Sequence, residues 1–272
     1  SLVPEQHWQA EGGEIILKAG ASLYDSNRAS AAFSPIAELS RTWASGALRR
    51  VYASYTTTTE LPSYTALDSS TTSGLFFGNP DLGRETSRQT DLGASGSLWG
   101  WTGEAAVFYR RDDNLVDWTY TDGVFGRSAN AVNIGTEGLE LSARRSWGLV
   151  SVVVGYTALA KSADYLQPGI TASFYALNYA RQRLTAALTL QLTRTLELRV
   201  DNAARIQEPD SLRTQGGNDA FISSAGLYWQ PSSMRRLEFS LLVDNLWNSA
   251  FQAVPGVPAS RRQLSFGATY GW

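Results

Sequence analysis

The chain has 272 residues, a formal net charge of −2 and a hydrophobic fraction of 43%, which suits one large domain or two small ones. It has no cysteine, so a disulfide framework and a thiolate metal site are both excluded. No stretch reaches the roughly 18 to 20 unbroken apolar residues of a spanning helix, which excludes a helical membrane protein. Residues 1–10 do not resemble a secretory signal, so we expect the numbering to begin after processing or inside a longer protein.

Apolar and polar residues alternate with a period of two along most of the chain, a pattern that a helical face cannot produce. The clearest case is the last segment, where Leu264, Phe266 and Tyr270 alternate with Gln263 and other polar or small residues. The pattern predicts an all-β fold with almost no room for helices. We predict about twelve strands, in chain order 7–24, 32–42, 47–56, 84–98, 101–117, 130–145, 148–160, 173–192, 195–205, 220–230, 236–245 and 261–272.

The connections between these segments alternate between short and long. The short ones are 43–46, 99–100, 146–147, 193–194 and 231–235, and the long ones are 25–31, 57–83, 118–129, 161–172, 206–219 and 246–260. This is typical of an antiparallel up-and-down transmembrane barrel, with tight periplasmic turns and long outer loops. We expect the apolar face of each strand to contact lipid and the polar face to line a wet lumen.

The tryptophans are distributed unevenly between the two kinds of connection. Those beside the short connections are Trp8, Trp43, Trp99, Trp101, Trp147, Trp229 and Trp272, whereas Trp118 and Trp247 lie by long loops. Indole rings favour the membrane–water interface, so the distribution indicates an interfacial belt rather than ordinary core tryptophans.

Residues that could support catalysis or metal binding are scarce. His7 is the one histidine, and it lies at the short-turn end, so we read it as an interfacial side chain and predict no enzyme activity. The aspartates Asp112, Asp113, Asp117 and Asp122 could hold a Ca²⁺-type ion, but we favour a solvated acidic loop. We therefore predict no metal and no cofactor. A pI near 5.5 argues against nucleic acid as a partner.

Several short motifs resemble one family when their order and spacing are taken together. They are Gly78-Asn79-Pro80-Asp81-Leu82 followed by Glu85-Thr86-Ser87, and Asp244-Asn245-Leu246-Trp247-Asn248 followed by Pro255-Gly256-Val257-Pro258 and a final strand ending in an aromatic residue. Their order resembles the barrel of TonB-dependent outer-membrane receptors over nearly the whole chain.

The resemblance implies the C-terminal portion of a barrel of about 22 strands, spanning residues 1–272, with the N-terminal plug domain absent. A truncated piece, a separately encoded half and the ordered part of a degraded receptor would all fit. It implies an outer-membrane receptor of a Gram-negative bacterium that takes up a siderophore, cobalamin or similar scarce solute. The implied partners are the lipid bilayer and lipopolysaccharide, the missing barrel half and plug, the TonB complex through that plug, and the outer-membrane assembly machinery, which would read Trp272.

The alternative is a self-contained twelve-stranded channel or translocator. Tightening would then pair the strand near Leu17 with the strand near Phe266, which an even strand count permits.

The outer loops supply the ligand-binding candidates. The longest loop, 57–83, carries Tyr64, Phe76, Phe77, Asn79 and Asp81, a mixture able to stack on and hydrogen-bond to a bulky solute. For Asn79 we favour a role in shaping a turn over direct contact. Further candidates are Trp118, Tyr120 and Tyr165.

Overall fold

A computed structural model describes residues 1–70, 74–123 and 126–271, and over these residues the fold is all-β. Its strands are β1 (Glu5–Ala10), β2 (Gly13–Ser26), β3 (Ala29–Trp43), β4 (Leu48–Glu60), β5 (Phe76–Phe77), β6 (Glu85–Leu98), β7 (Trp101–Thr121), β8 (Arg127–Trp147), β9 (Val150–Tyr165), β10 (Ile170–Ser173), β11 (Ala180–Thr193), β12 (Leu196–Gln207), β13 (Asp219–Trp229), β14 (Leu237–Asp244) and β15 (Gln263–Tyr270). A short helix, α1 (Tyr64–Asp68), lies between β4 and β5. None of the described helical residues forms a helix long and apolar enough to cross a membrane.

Thirteen of the strands follow one another in a single hydrogen-bonded order, with antiparallel pairing from β1 to β6 and from β9 to β15. The order is β1-β2-β3-β4-β6-β7-β8-β9-β11-β12-β13-β14-β15, and the two short strands β5 and β10 pair with β8 and β7. The pairing of β5 with β8 is parallel. Sequential neighbours pair directly because short hairpin turns join alternate strands, as the connection lengths predicted.

The predicted segment 7–24 is wrong in one respect, because it is a hairpin and not one strand. β1 and β2 pair from Glu5↔Lys18 to Ala10↔Gly13, which leaves only Glu11 and Gly12 in the turn. Gly12 has φ +71°, a conformation that glycine adopts without the steric cost of a side chain. A period-two pattern continues through so short a turn, so alternation alone does not reveal the break.

The predicted loop 118–129 is also wrong, because β7 and β8 extend well into it. β10 pairs with the outer end of β7, through Ala172↔Tyr120 and Ser173↔Thr119. β5 pairs with the start of β8, at Phe76↔Arg127. These added strands satisfy backbone groups that a protruding hairpin would otherwise expose. Trp118 and Tyr120 therefore lie on β7 and not in a loop, and the predicted segment 173–192 separates into β10 and β11.

The chain forms two compact units. Unit 1 comprises Ser1–Ser97, Glu104–Leu139 and Leu159–Tyr179. Its buried apolar residues lie under the outer connections, in one cluster of Ala66, Leu67, Leu82 and Ala129 and another of Val132, Ile134 and Ala176. The outer connections of unit 1 are therefore packed structures with cores of their own.

Unit 2 comprises Leu98–Gly103, Glu140–Ala158 and Ala180–Trp272. The register of its strands places apolar residues opposite apolar residues and polar residues mostly opposite polar ones. One row of direct partners is Leu190↔Leu198↔Leu227↔Leu241↔Phe266, and the adjacent row on the other face is Gln191↔Glu197↔Tyr228↔Ser240↔Gly267. Because successive side chains point to opposite faces, one face is apolar and the other is mostly polar.

Aromatic side chains reinforce the apolar face of unit 2. The ring of Phe239 stacks on Trp229 at 5.6 Å between centroids and on Phe266 at 6.1 Å. These residues are partners or neighbours on β13, β14 and β15, so the stack crosses three strands. Phe266 is nevertheless 73% exposed. The rings pack against one another while their outer faces stay uncovered.

The tight-turn end of unit 2 carries several tryptophans. Trp99 and Gly100 form the β6–β7 turn with φ values of +52° and +80°, which is the backbone of a two-residue hairpin loop. Trp101 begins β7 and lies 6.3 Å from Trp147, which ends β8. Trp99 is 83% exposed.

Candidate functional site

The first part of the candidate site is the helix α1 in unit 1. Ser63 caps it, because the Ser63 hydroxyl accepts a hydrogen bond from the Ala66 N–H at 3.2 Å. The cap directs Ala66 and Leu67 into the buried cluster, while Tyr64 on the opposite side is 76% exposed. The Tyr64 hydroxyl donates to the carboxylate of Asp68, and this hydrogen bond raises the pKa of Tyr64 above its ordinary value.

Asn79 lies between β5 and β6 and is hydrogen-bonded to this helix. Its N–H donates to the Ala66 carbonyl at 2.7 Å, and its side-chain oxygen accepts from the Asp81 N–H at 3.0 Å. That geometry is an Asx turn, in which the amide side chain stands in for a backbone group. The Asn79 side-chain oxygen is thus engaged in shaping the connection, and the Asp81 carboxylate remains exposed.

Phe76 and Trp118 come together at the outer end of β7. Their rings meet edge to face with centroids 5.1 Å apart. The guanidinium carbon of Arg127 lies 5.5 Å from the Phe76 ring centre and 3.7 Å from that of Phe174. We call Phe76, Trp118, Arg127 and Phe174 the outer aromatic cluster. Aromatic faces carry negative potential that attracts a cation, so Arg127 holds the two phenylalanines in place.

A buried carboxylate fixes the segment that carries Phe174. Asp117 on β7 is 0% exposed. It accepts from the Tyr165 hydroxyl at 2.7 Å and the Ser173 hydroxyl at 2.6 Å, and from the N–H groups of Tyr175 at 3.3 Å and Ala176 at 3.1 Å. Four donors compensate for the loss of water around the charge. Asp117 therefore ties β7 to the connection between β9 and β11.

A polar cavity of about 190 Å³ is lined by the outer ends of β4 and β6 and by the middle of β7. Asp112 lines it and is 4% exposed, accepting from Arg110 Nε at 2.7 Å and from the Ser87 hydroxyl. Asp113 accepts from Arg111 Nε at 3.0 Å and from Arg88. The expectation of a solvated acidic loop is wrong for Asp112 and Asp117, because both are buried and bonded to donors of their own chain.

The eight predicted ligand-binding residues thus have different surroundings. Phe76 and Trp118 are in contact, and the Tyr165 hydroxyl donates to Asp117, the neighbour of Trp118 in β7. Tyr64 is exposed on α1, and Asp81 is exposed in the turn at Asn79. Phe77 pairs with Ser128 as part of β5, and the Tyr120 carbonyl accepts from the Thr171 hydroxyl at 3.2 Å. Trp272 lies outside the described residues. Over the described ranges, no group of three or more metal-ligating acidic or histidine side chains occurs.

Sequence reasoning missed Arg127, Phe174 and the role of Asp117. Arg127 begins β8 in a segment that was predicted as a loop, and Phe174 lies in a predicted strand that the structure divides. The sequence carried one usable signal, the two adjacent phenylalanines Phe76 and Phe77 within an otherwise polar loop, which indicate a buried anchor as readily as a ligand contact.

Comparison with known proteins gives a family profile and a set of similar folds. The profile described as "TonB dependent receptor-like, beta-barrel" matches residues 16–246. A search of curated proteins found no match.

Similar solved structures include the siderophore receptor PirA from Pseudomonas aeruginosa, at 18% identity and a TM-score of 0.64, covering 95% of this chain and 44% of that one. The FrpB iron transporter from Neisseria meningitidis (F3-3 variant) has 15% identity and a TM-score of 0.67, with coverage of 98% and 44%. The siderophore receptor PirA from Acinetobacter baumannii has 12% identity and a TM-score of 0.69, also with coverage of 98% and 44%. These identities show likeness of fold alone, and the chain spans less than half the length of each structure.

Proposed function

The chain belongs to the TonB-dependent receptor-like β-barrel family, and we propose that it forms the C-terminal part of the barrel wall of a receptor for a siderophore, cobalamin or similar scarce solute. Members of the family are outer-membrane receptors and transporters of Gram-negative bacteria, and they are not enzymes. We place this chain in the same membrane. In a complete receptor the remaining strands and a plug domain would complete the structure, and TonB would act through that plug.

The observation that carries the membrane proposal is the two-faced sheet of unit 2. Leu241 is 45% exposed and Leu264 is 72% exposed, and both belong to the face that also carries the stacked aromatic rings. In water an apolar face of this extent would be covered by another layer, whereas lipid solvates it without cost. The opposite face carries Glu197, Glu238 and other polar groups, which suits a wet lumen.

We propose the outer aromatic cluster as the ligand-contacting surface of unit 1. Phe76 is 40% exposed, so part of its ring remains free to stack on a planar ligand. Trp118 and Arg127 set its orientation. Tyr64 and Asp81 are exposed and lie on the same connection as Phe76. Tyr165 acts indirectly, by holding Asp117. Phe77, Asn79 and Tyr120 complete the set as residues that shape the connection around the cluster.

The remaining partners follow from membership of an outer-membrane family. The apolar face would contact phospholipid and lipopolysaccharide, and the terminal aromatic residue Trp272 would be read by the assembly machinery during insertion.

The function is tested in the complete receptor, expressed in strains with and without TonB. Uptake of radiolabelled iron from ferric catecholate and ferric hydroxamate complexes, and of labelled cobalamin, is measured at micromolar solute. We expect saturable uptake of one of these classes that disappears without TonB. Uptake that is unsaturable and independent of TonB would instead identify a passive channel and overturn the proposal.

A further inference from the structure

Two arginines lie directly opposite each other on the polar face of unit 2. Arg183 on β11 is the register partner of Arg205 on β12. Their neighbours Leu184 and Ala204 are also partners and point to the apolar face, because side chains alternate along a strand. Partners of this kind have Cβ atoms about 4.5–5.5 Å apart, and like charges in that arrangement are unfavourable. The patch therefore concentrates positive charge at a cost in free energy.

Neither guanidinium is neutralised by the part of unit 2 that the structure describes. Arg181, two residues before Arg183, shows the usual arrangement, since its Nε lies 3.6 Å from a carboxylate oxygen of Glu208. Arg183 and Arg205 have no carboxylate within 4.0 Å among the described residues. The Nε of Arg205 is buried and has no hydrogen-bond acceptor there. A buried donor without an acceptor is costly, so this site favours a bound anion.

The surroundings hold Arg205 in a defined place. Its guanidinium carbon lies 5.5 Å from the ring centre of Phe251, which is 5% exposed. Arg213 lies at the same distance from that ring, and its own guanidinium donates to the carbonyls of Gln252 at 3.2 Å and Glu208 at 2.9 Å. Two outer connections are thereby joined around Phe251. A side chain that is already positioned loses less conformational entropy when a ligand binds.

We propose that Arg183 and Arg205 bind a multiply charged oxyanion, meaning a solute with several carboxylate, phenolate or phosphate oxygens. The proposal rests on the uptake function above, since it places the site on the polar face along which a solute would pass. Guanidinium groups offer parallel N–H donors that match the oxygens of such anions. One ligand with two or more negative charges neutralises both arginines at once and supplies the acceptor that Arg205 Nε lacks.

The test uses the complete receptor in detergent, titrated with inorganic pyrophosphate by isothermal calorimetry. We expect Arg183→Gln and Arg205→Gln each to weaken binding at least tenfold, and the double variant to abolish it. Arg183→Lys keeps the positive charge but loses the paired N–H donors of the guanidinium. Its pyrophosphate affinity should therefore lie between that of the parent and that of Arg183→Gln. The matched control is Arg181→Gln combined with Glu208→Gln, which removes a neutralised pair without changing the net charge, and it should change the affinity less than twofold.

The outcomes separate this site from its alternatives. Equal pyrophosphate affinity in the parent and the double variant would overturn it, and so would an affinity of the parent that does not fall with added salt. If the variants instead lower the unfolding temperature and leave pyrophosphate binding unchanged, a carboxylate from another part of the protein neutralises the pair, and the site is refuted. Loss of binding in the variants of a receptor that shows no TonB-dependent uptake would support the anion site and refute the uptake function alone.

Discussion

Replacing Asp117 with alanine tests whether one buried carboxylate holds the outer connection of unit 1 in place. The change removes an acceptor shared by two hydroxyls and two backbone N–H groups, at distances of 2.6 to 3.3 Å. Hydrogen bonds to a charged group are worth about 1.5–3 kcal/mol each, but the freed donors regain water when the segment opens. We therefore expect the segment to lose about 3 kcal/mol of local stability, or roughly a hundredfold in its open population.

The assay is hydrogen–deuterium exchange read by mass spectrometry on peptides that cover residues 165–179. The amides of Tyr175 and Ala176 should exchange roughly a hundredfold faster in Asp117→Ala, while peptides from β11 to β15 keep their parent rates. Asp122→Asn is the control, because among the described residues Asp122 makes one long contact, at 3.4 Å, with the Thr171 hydroxyl. Unchanged exchange at Tyr175 and Ala176 in Asp117→Ala would refute the reasoning, since the four bonds would then contribute nothing to holding the segment.

Three further predictions address the membrane, the ligand and assembly. Leu241→Arg should lower the free energy of unfolding in lipid vesicles by roughly 2–4 kcal/mol, whereas Ser240→Arg on the polar face should cost far less, and equal costs would contradict the assignment of faces. Phe76→Ala should weaken ligand binding severalfold, because an aromatic pair contributes about 0.5–1.5 kcal/mol beyond its buried area, and a titration that matches the parent would exclude Phe76 as a contact. Trp272→Ala should slow insertion into outer membranes with little change in folded stability, and insertion at the parent rate would disprove the assembly role. Trp229→Ala, which removes an aromatic residue at the tight-turn end, is the control for the Phe76 and Trp272 variants, and it should leave ligand affinity and insertion rate at their parent values.

The two faces of the sheet were predictable because strand geometry is local. A pleated strand turns successive side chains to opposite sides, so the alternation from Gln263 to Tyr270 specifies a face without reference to any partner. The register then aligned Phe266 with Leu241 and Leu227, as one continuous apolar face requires. The number of strands was misjudged at the start of the chain, where the turn at Gly12 is too short to interrupt the pattern. The segment 173–192 was likewise predicted as one strand, whereas the structure divides it into β10 and β11.

The candidate sites depended on tertiary structure because their contacts join residues far apart in the chain. Asp117 reads as one of several acidic loop residues, yet it is buried because donors from residues 165–176 surround it. Arg183 and Arg205 become neighbours only through the register of β11 with β12. A shift of one residue in that register would turn one of the two side chains to the opposite face. Composition and periodicity report the environment of a residue along its own strand. Which side chains become neighbours across strands and connections is decided by pairing and packing, whose free energy is shared among residues that no local pattern connects.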